Sequence, residues 1–282
     1  MTKKLAMIAP SFIAEFDYPL IILQLKKMGF DKVIELTFGA KMINREYHKK
    51  LEQEVLKKEK DKNYSPKLLI SSVCPGITEI IEKEFPQFKK NLIKVDSPMV
   101  ASAKICRKIF PKHKITFISP CEFKAKEARK RASKLVDKVI CYNELREKLK
   151  KIKISEKEIE NIKKKGLLFD KFYNDYTKVY PLSGGLTKTA HIKGIIKKKQ
   201  AKTIDGINKV RKFLLKPNKK ILFLDATFCE NGCLGGPCIS KDISIFKRKR
   251  KLRKYMKRAL REDIPETRKG ILEKAKGLKF SS

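Results

Sequence analysis

Seven cysteines carry most of this chain's capacity for chemistry: Cys74, Cys106, Cys121, Cys141, Cys229, Cys233 and Cys238. Two form a close pair in Cys229-Glu-Asn-Gly-Cys233, which runs on through Leu-Gly-Gly-Pro to Cys238. Thiolates are soft ligands, and four of them suit either a tetrahedral zinc ion or an iron–sulfur cube. Gly232, Gly235 and Gly236 would let backbone amides approach sulfur and form a concavity for a negatively charged cluster. Zinc ribbons present two close cysteine pairs, and here there is one pair with isolated partners, which favours a cluster over zinc. The odd count and an expected reducing setting argue against a disulfide framework. Cys106, in the helical stretch AKICRKIF, and Cys141, inside KVICYN, are expected to be small core residues. Cys238 stays open between an accessory ligand and an ordinary residue.

Three short apolar runs rich in strand-forming residues deliver the other cysteines. Lys67–Ser72 (KLLISS) leads into Val73-Cys74-Pro75-Gly76, Lys114–Ser119 (KITFIS) into Pro120-Cys121, and Lys220–Asp225 (KILFLD) into the Cys229 loop. Leu5–Ala9, Lys32–Phe38 and Lys138–Tyr142 are runs of the same kind. Between them, Tyr18–Lys27, Lys41–Lys60, Met99–Phe110, Glu122–Leu135 and Asn143–Lys151 read as amphipathic helices. This alternation predicts an α/β architecture with mostly parallel sheets flanked by helices. In such sheets ligands bind beyond the carboxyl ends of the strands, where these cysteines would lie.

The length of 282 residues and a hydrophobic fraction of 41% suit a folded protein able to bury a core. No apolar run reaches the roughly 20 residues needed to span a bilayer. The amino-terminal stretch reads as a strand, not a signal peptide, so a cytoplasmic location without membrane attachment is expected. Lys and Arg number 69 against 31 Asp and Glu, a net charge of +38. Lysine is spread along the chain, as on solvated faces, but concentrates in Ile196–Lys202 and Phe246–Lys257. Such charge suits a nucleic acid, or an acidic protein partner such as a small electron carrier. His48, His113 and His191 stand apart from the cysteine motifs, and no nucleophile–base set is evident.

Three ordered motifs resemble the catalytic domain of the iron-only (FeFe) hydrogenases, the family of carboxyl-terminal domains of the large hydrogenase chain. Ser71-Ser72-Val73-Cys74-Pro75 is similar to the family's Thr-Ser-Cys-Cys-Pro. Ser119-Pro120-Cys121-Glu122-Phe123-Lys124-Ala125-Lys126-Glu127 is similar to Met-Pro-Cys-x-x-Lys-x-x-Glu. The run from Asp225 to Pro237 is similar to Glu-x-Met-x-Cys-x-x-Gly-Cys-x-x-Gly-Gly. Weaker likenesses at Ala9-Pro10-Ser11, Ser97-Pro98-Met99 and Ser183-Gly184-Gly185 follow in order, and the resemblance covers roughly residues 3–265. It implies two lobes, about 1–150 and 166–240, with an iron–sulfur site between them. A closing helix over 243–265 would complete the domain, followed by a basic tail over 266–282. It also implies a 4Fe–4S cube on Cys74, Cys121, Cys229 and Cys233. Cys233 would bridge to a two-iron unit with CO and CN ligands if one is bound, and Lys124 would donate a hydrogen bond to a cyanide.

The departures bear on activity. Val73 stands where the family has a proton-relay cysteine, and it has no exchangeable proton. Thr227 and Ser119 replace methionines that pack on the two-iron unit, and Asp225 replaces a glutamate. The expectation is a divergent hydrogenase-like iron–sulfur protein with a redox, hydrogen-sensing or electron-transfer role. It would have little or no hydrogen turnover and would work with a separate electron-carrier or signalling partner. A slow hydrogenase carrying the two-iron unit, and a nucleic-acid-associated protein with a structural cluster, are the competing readings.

Overall fold

The structure is a computed structural model and describes residues 2–281. Met1 and Ser282, the outer ends of the expected domain and tail, lie outside the described residues. In chain order the main elements are β1 (Lys4–Ile8), α1 (Leu20–Lys27), β2 (Lys32–Glu35), α2 (Thr37–Lys60), β3 (Leu69–Ile70), α3 (Pro75–Glu84), α4 (Pro98–Ile109), β4 (Lys114–Ser119) and α5 (Phe123–Arg131). There follow β5 (Lys138–Cys141), α6 (Tyr142–Leu149), α7 (Glu156–Lys165), α8 (Gly185–Thr189), α9 (Ile192–Ile195), β6 (Ala201–Asp205), α10 (Ile207–Leu215), β7 (Phe223–Thr227) and α11 (Ile245–Ala259).

All strand pairs are parallel. One sheet has the order β2-β1-β4-β5 and the other β3-β7-β6. The α/β class with parallel sheets and flanking helices is therefore as the apolar runs imply. Alternate residues of β1 point to opposite faces. Leu5 and Met7 join a core with α2 and α4, while Ala6 and Ile8 pack with α1, α6 and α11. Burial on both faces explains why these strands are continuously apolar. The second sheet packs Ile70, Leu224 and Ala226 against Ile77 and Ile81 of α3 and against Val210 and Leu214 of α10.

The element boundaries differ from expectation in informative places. Lys32–Phe38 reads as one strand in the sequence, but Thr37 and Phe38 open α2. Gly39 lets that turn lie against α4, since a Cβ there would meet Pro98 O at 2.8 Å. The Lys220–Asp225 run forms its strand two or three residues later, at Phe223–Thr227. Strand β6 begins inside the basic run Ile196–Lys202, and Lys202 and Thr203 on it are exposed. Edge position and solvent exposure hide it from an apolar-run criterion. Helix α11 covers the centre of the expected closing helix.

Among the described residues no helix is long and apolar enough to cross a membrane.

Candidate metal centre

The three cysteine loops leave the carboxyl ends of β3, β4 and β7. After β3, Cys74 sits at the start of α3, with Pro75 preset for the first helical turn. The Cys74 Sγ accepts the Phe228 backbone N–H at 3.4 Å, which ties the first loop to the third. Gly76 lies under the Phe228 ring, whose atoms would be 2.9 Å from an added Cβ. The Phe228 ring in turn meets Phe123 of the second loop at a centroid distance of 4.8 Å.

After β4, the Ser119 hydroxyl accepts from the Cys121 N–H at 3.1 Å and donates to the Cys121 carbonyl at 2.9 Å. This closes a small turn that aims Cys121 away from the sheet. After β7, Asn231 and Gly232 adopt φ of +63° and +65°, and the Cys233 N–H donates to Pro181 O at 2.8 Å. A side chain at Gly232 would meet Pro181 O at 2.5 Å, and one at Gly236 would meet Pro120 O at 2.6 Å. Glycine at these positions is what lets the third loop press against the Tyr180–Leu182 segment and the second loop.

Helix α11 holds this loop from behind. The buried Arg248 guanidinium donates to the carbonyls of Leu234 (2.7 Å), Ser240 (2.6 Å) and Ile243 (2.8 Å). Lys249 donates to the Asn231 side-chain oxygen at 2.7 Å.

Cys74, Cys121, Cys229, Cys233 and Lys124 all line one cavity of about 120 Å³. On this measure a single water takes about 10–15 Å³, so the space suits a group of several atoms. Its other walls are largely apolar, including Leu36, Val73, Met99, Phe117, Leu182 and Leu186. Burial pushes the Cys121 thiol up to about 11, helped by the Cys74 sulfur. It pushes Cys229 up to about 12, with Cys121 and Cys74 adding to the effect. Cys233 lines this cavity, and burial followed by the other three sulfurs raises its thiol well above the ordinary range. The sulfurs thus lie within electrostatic reach of one another. Their mutual repulsion as thiolates would be relieved by a positively charged iron core among them.

The Tyr180 hydroxyl, in the same wall, is buried without a hydrogen-bond partner and close enough to Asp225 and Cys233 to feel their charge. It is a donor left without a partner in that wall. Among the described residues no three His, Cys, Asp or Glu side chains are arranged around a single metal ion. Cavity volume and donor set are compatible with a polynuclear, thiolate-bound group.

Lys124 donates to Glu127 Oε2 at 2.7 Å and to Val73 O at 3.4 Å. Its third proton is left for the cavity. Asp225, also on the wall, accepts from the Thr187 N–H (3.0 Å) and hydroxyl (2.8 Å), and burial raises its carboxyl above the usual range. Thr227 lines the cavity, whereas Ser119 is spent on its own turn.

Cys106 is fully buried in α4, as expected. Cys141 is half-exposed instead of buried, because β5 ends at an open edge, and it contacts Cys238. Cys238 is buried outside the cavity. His48 bonds to Ala190 O and Glu52, His113 packs on Phe110, and His191 stacks on Tyr176, all away from the cysteines. Sequence reasoning misses Tyr180 and Arg248. The nearby Ser183-Gly184-Gly185 loop is the nearest signal for the first, and there is none for the second.

The family model for the C-terminal domain of the iron-only hydrogenase large subunit matches residues 2–237. The chain belongs to that family. Iron hydrogenase 1 of Clostridium pasteurianum is 23% identical over 258 residues, covering 75% of this chain and 44% of the relative. The chain therefore spans less than half the length of that curated relative. A solved variant of the FeFe-hydrogenase HydA1 from Chlamydomonas reinhardtii superposes with a TM-score of 0.64 at 16% identity, covering 96% of this chain and 86% of the other. A structure describing oxygen inactivation of an FeFe-hydrogenase gives 0.64 at 17% identity, covering 89% and 84%. The hydrogenase-like α/β fold is thus shared almost end to end.

Proposed function

We propose that this hydrogenase-family chain binds a 4Fe–4S cluster through Cys74, Cys121, Cys229 and Cys233 and serves a redox, hydrogen-sensing or electron-transfer role with little or no hydrogen turnover. The observation that carries this reading is the meeting of four thiols, from three loops far apart in sequence, at one largely apolar cavity. A bound cube would supply one-electron chemistry, its potential set by burial and by hydrogen bonds to sulfur.

The chain's own groups do the rest. The Phe228 N–H already donates to the Cys74 sulfur. Leu182, Leu186 and Phe117 give the cavity an apolar lining. Val73 breaks proton delivery to the cavity, because a valine side chain can neither accept nor pass on a proton.

One observation favours a second reading, a slow hydrogenase carrying a two-iron unit. Lys124 reaches the cavity with a donor to spare, which a cube alone would leave idle.

The partner fits an electron carrier or signalling protein with an acidic surface. Nine of the 15 residues of α11 are Lys or Arg and none is acidic, and the helix backs directly onto the cysteine loop. Docking there would weaken as salt rises.

Anaerobic purification and reconstitution should yield about four irons and four sulfides per chain, and iron near zero would reject the cluster. Infrared bands of CO and CN after full maturation would establish the two-iron unit, and their absence would leave the cube alone.

A further inference from the structure

Cys141 and Cys238 are assigned no part in the cavity, yet the fold brings them together. Cys141 ends β5 in register with Ser119 of β4. Cys238 donates its backbone N–H to Pro120 O at 3.1 Å, one residue beyond Ser119. Both side chains pack into the same apolar cluster, and the two thiols are close enough to couple electrostatically. Their surroundings differ. Cys141 is half-exposed, while Cys238 is only 2% exposed.

From this we infer that Cys141 and Cys238 form a redox-active dithiol, closed to a disulfide by peroxide. The inference is independent of the cluster reading, since neither residue lines the cavity. A nucleophilic thiol reachable from solvent beside a shielded second thiol is the arrangement of a peroxidatic and a resolving cysteine. Interaction with Cys238 lowers the pKa of Cys141, and interaction with Cys141 together with burial raises that of Cys238.

The chemistry balances in two steps. The Cys141 sulfur attacks one peroxide oxygen, the O–O bond breaks, and water leaves, so that Cys141 becomes a sulfenic acid. The Cys238 sulfur then attacks the Cys141 sulfur, the S–O bond breaks, and a second water leaves. Two thiols and one hydrogen peroxide become one disulfide and two waters; the sulfurs give up two electrons and the peroxide takes them. The new bond would staple the open end of β5 to the Cys233–Cys238 loop, which already rests on Pro120. Peroxide would then stiffen the segment that presents Cys233.

The test is peroxide titration of the full chain, purified anaerobically, followed by quenching with N-ethylmaleimide and peptide mass spectrometry. Cys141 and Cys238 should leave the alkylatable pool together, about tenfold sooner than the buried Cys106, and appear as one linked peptide pair that dithiothreitol separates. In C238S, dimedone should instead trap Cys141 as its sulfenic acid. Cys141 and Cys238 both remaining alkylatable, or Cys141 oxidised while Cys238 stays free, would overturn the inference. Because the readout is peptide by peptide, oxidation of Cys74, Cys121, Cys229 and Cys233 is scored separately, and failure of either idea leaves the other standing.

Discussion

The Lys124 ammonium lies 2.7 Å from Glu127 Oε2, one turn along α5, with the lysine side chain 15% and the glutamate 3% exposed. A pair this closed is sensitive to losing one member, because the survivor keeps its desolvation cost without its partner. K124M or E127L alone should each lower unfolding free energy by about 2–4 kcal/mol, and the double variant should recover most of that loss. Urea unfolding of the iron-free chain measures it. If Lys124 has no role beyond this pair, the stable double variant will also match the parent in iron content and infrared spectrum. Loss of CO and CN bands from K124M and from the double variant, with E127L keeping them, would assign the lysine to the two-iron unit.

The four cavity cysteines should be separable from the other three by iron content. C74S, C121S, C229S and C233S should each reduce reconstituted iron from about four per chain to a small fraction of that, since each removes one corner ligand of a cube. C106A and C238S should retain it, because neither sulfur reaches the cavity. Iron retained in C74S and C121S alike would remove those loops from the ligand set.

The site was legible in sequence because strand ends carry their loops with them. KITFIS followed by Pro120-Cys121 is β4 and its turn residue for residue, so the position of Cys121 beyond the sheet follows from the apolar run alone. What was not legible depends on contacts between distant segments. Among 69 Lys and Arg nothing marks Lys178, yet it is fully buried between Glu35 (2.5 Å) and the Tyr255 hydroxyl (2.7 Å). Tyr180 is one of eight tyrosines, and only the packing of its segment against Gly232 brings it to the cavity wall. The meeting of Cys141 with Cys238 likewise needs the β4–β5 pairing and the Cys238–Pro120 bond at once, and neither has a local sequence signal.

Arg248 bonds to three carbonyls around the cysteine loop while nearly buried, so it acts as the loop's anchor. R248M keeps the aliphatic packing but strands those carbonyls. It should cost about 2–4 kcal/mol, the sum being less than three independent charged bonds because they share one side chain. Iron should leave the variant faster under a chelator than it leaves the parent. Equal chelation rates would mean that the loop is held by its own turns.

Asp225 supplies a signed pH dependence. Burial raises its carboxyl above the ordinary 3.8, and the Thr187 bonds only partly offset this. The folded chain therefore keeps the proton to higher pH than the unfolded chain. The stability this contributes is complete below about 3.8 and is lost as pH rises through the folded value. D225N does not titrate, so its stability relative to the parent should climb across that window and then level off. Urea midpoints of both iron-free chains over a pH series would show it. A difference that is flat, or that falls with pH, would place the Asp225 charge in a better-solvated setting than the structure gives it.

Val73 decides between the two functional readings. It lines the cavity, and its carbonyl accepts from Lys124 at 3.4 Å, so a side chain grown from this position enters the same space. V73C restores a group that can take and give a proton. If a two-iron unit is present, hydrogen turnover should rise by about a hundredfold, the usual scale of general acid–base assistance, with iron content unchanged. V73A, which opens space but supplies no proton, should leave turnover where it was, and this separates proton delivery from simple access. If only the cube is bound, V73C and V73A will be alike, because a proton brought to this wall has nowhere to go.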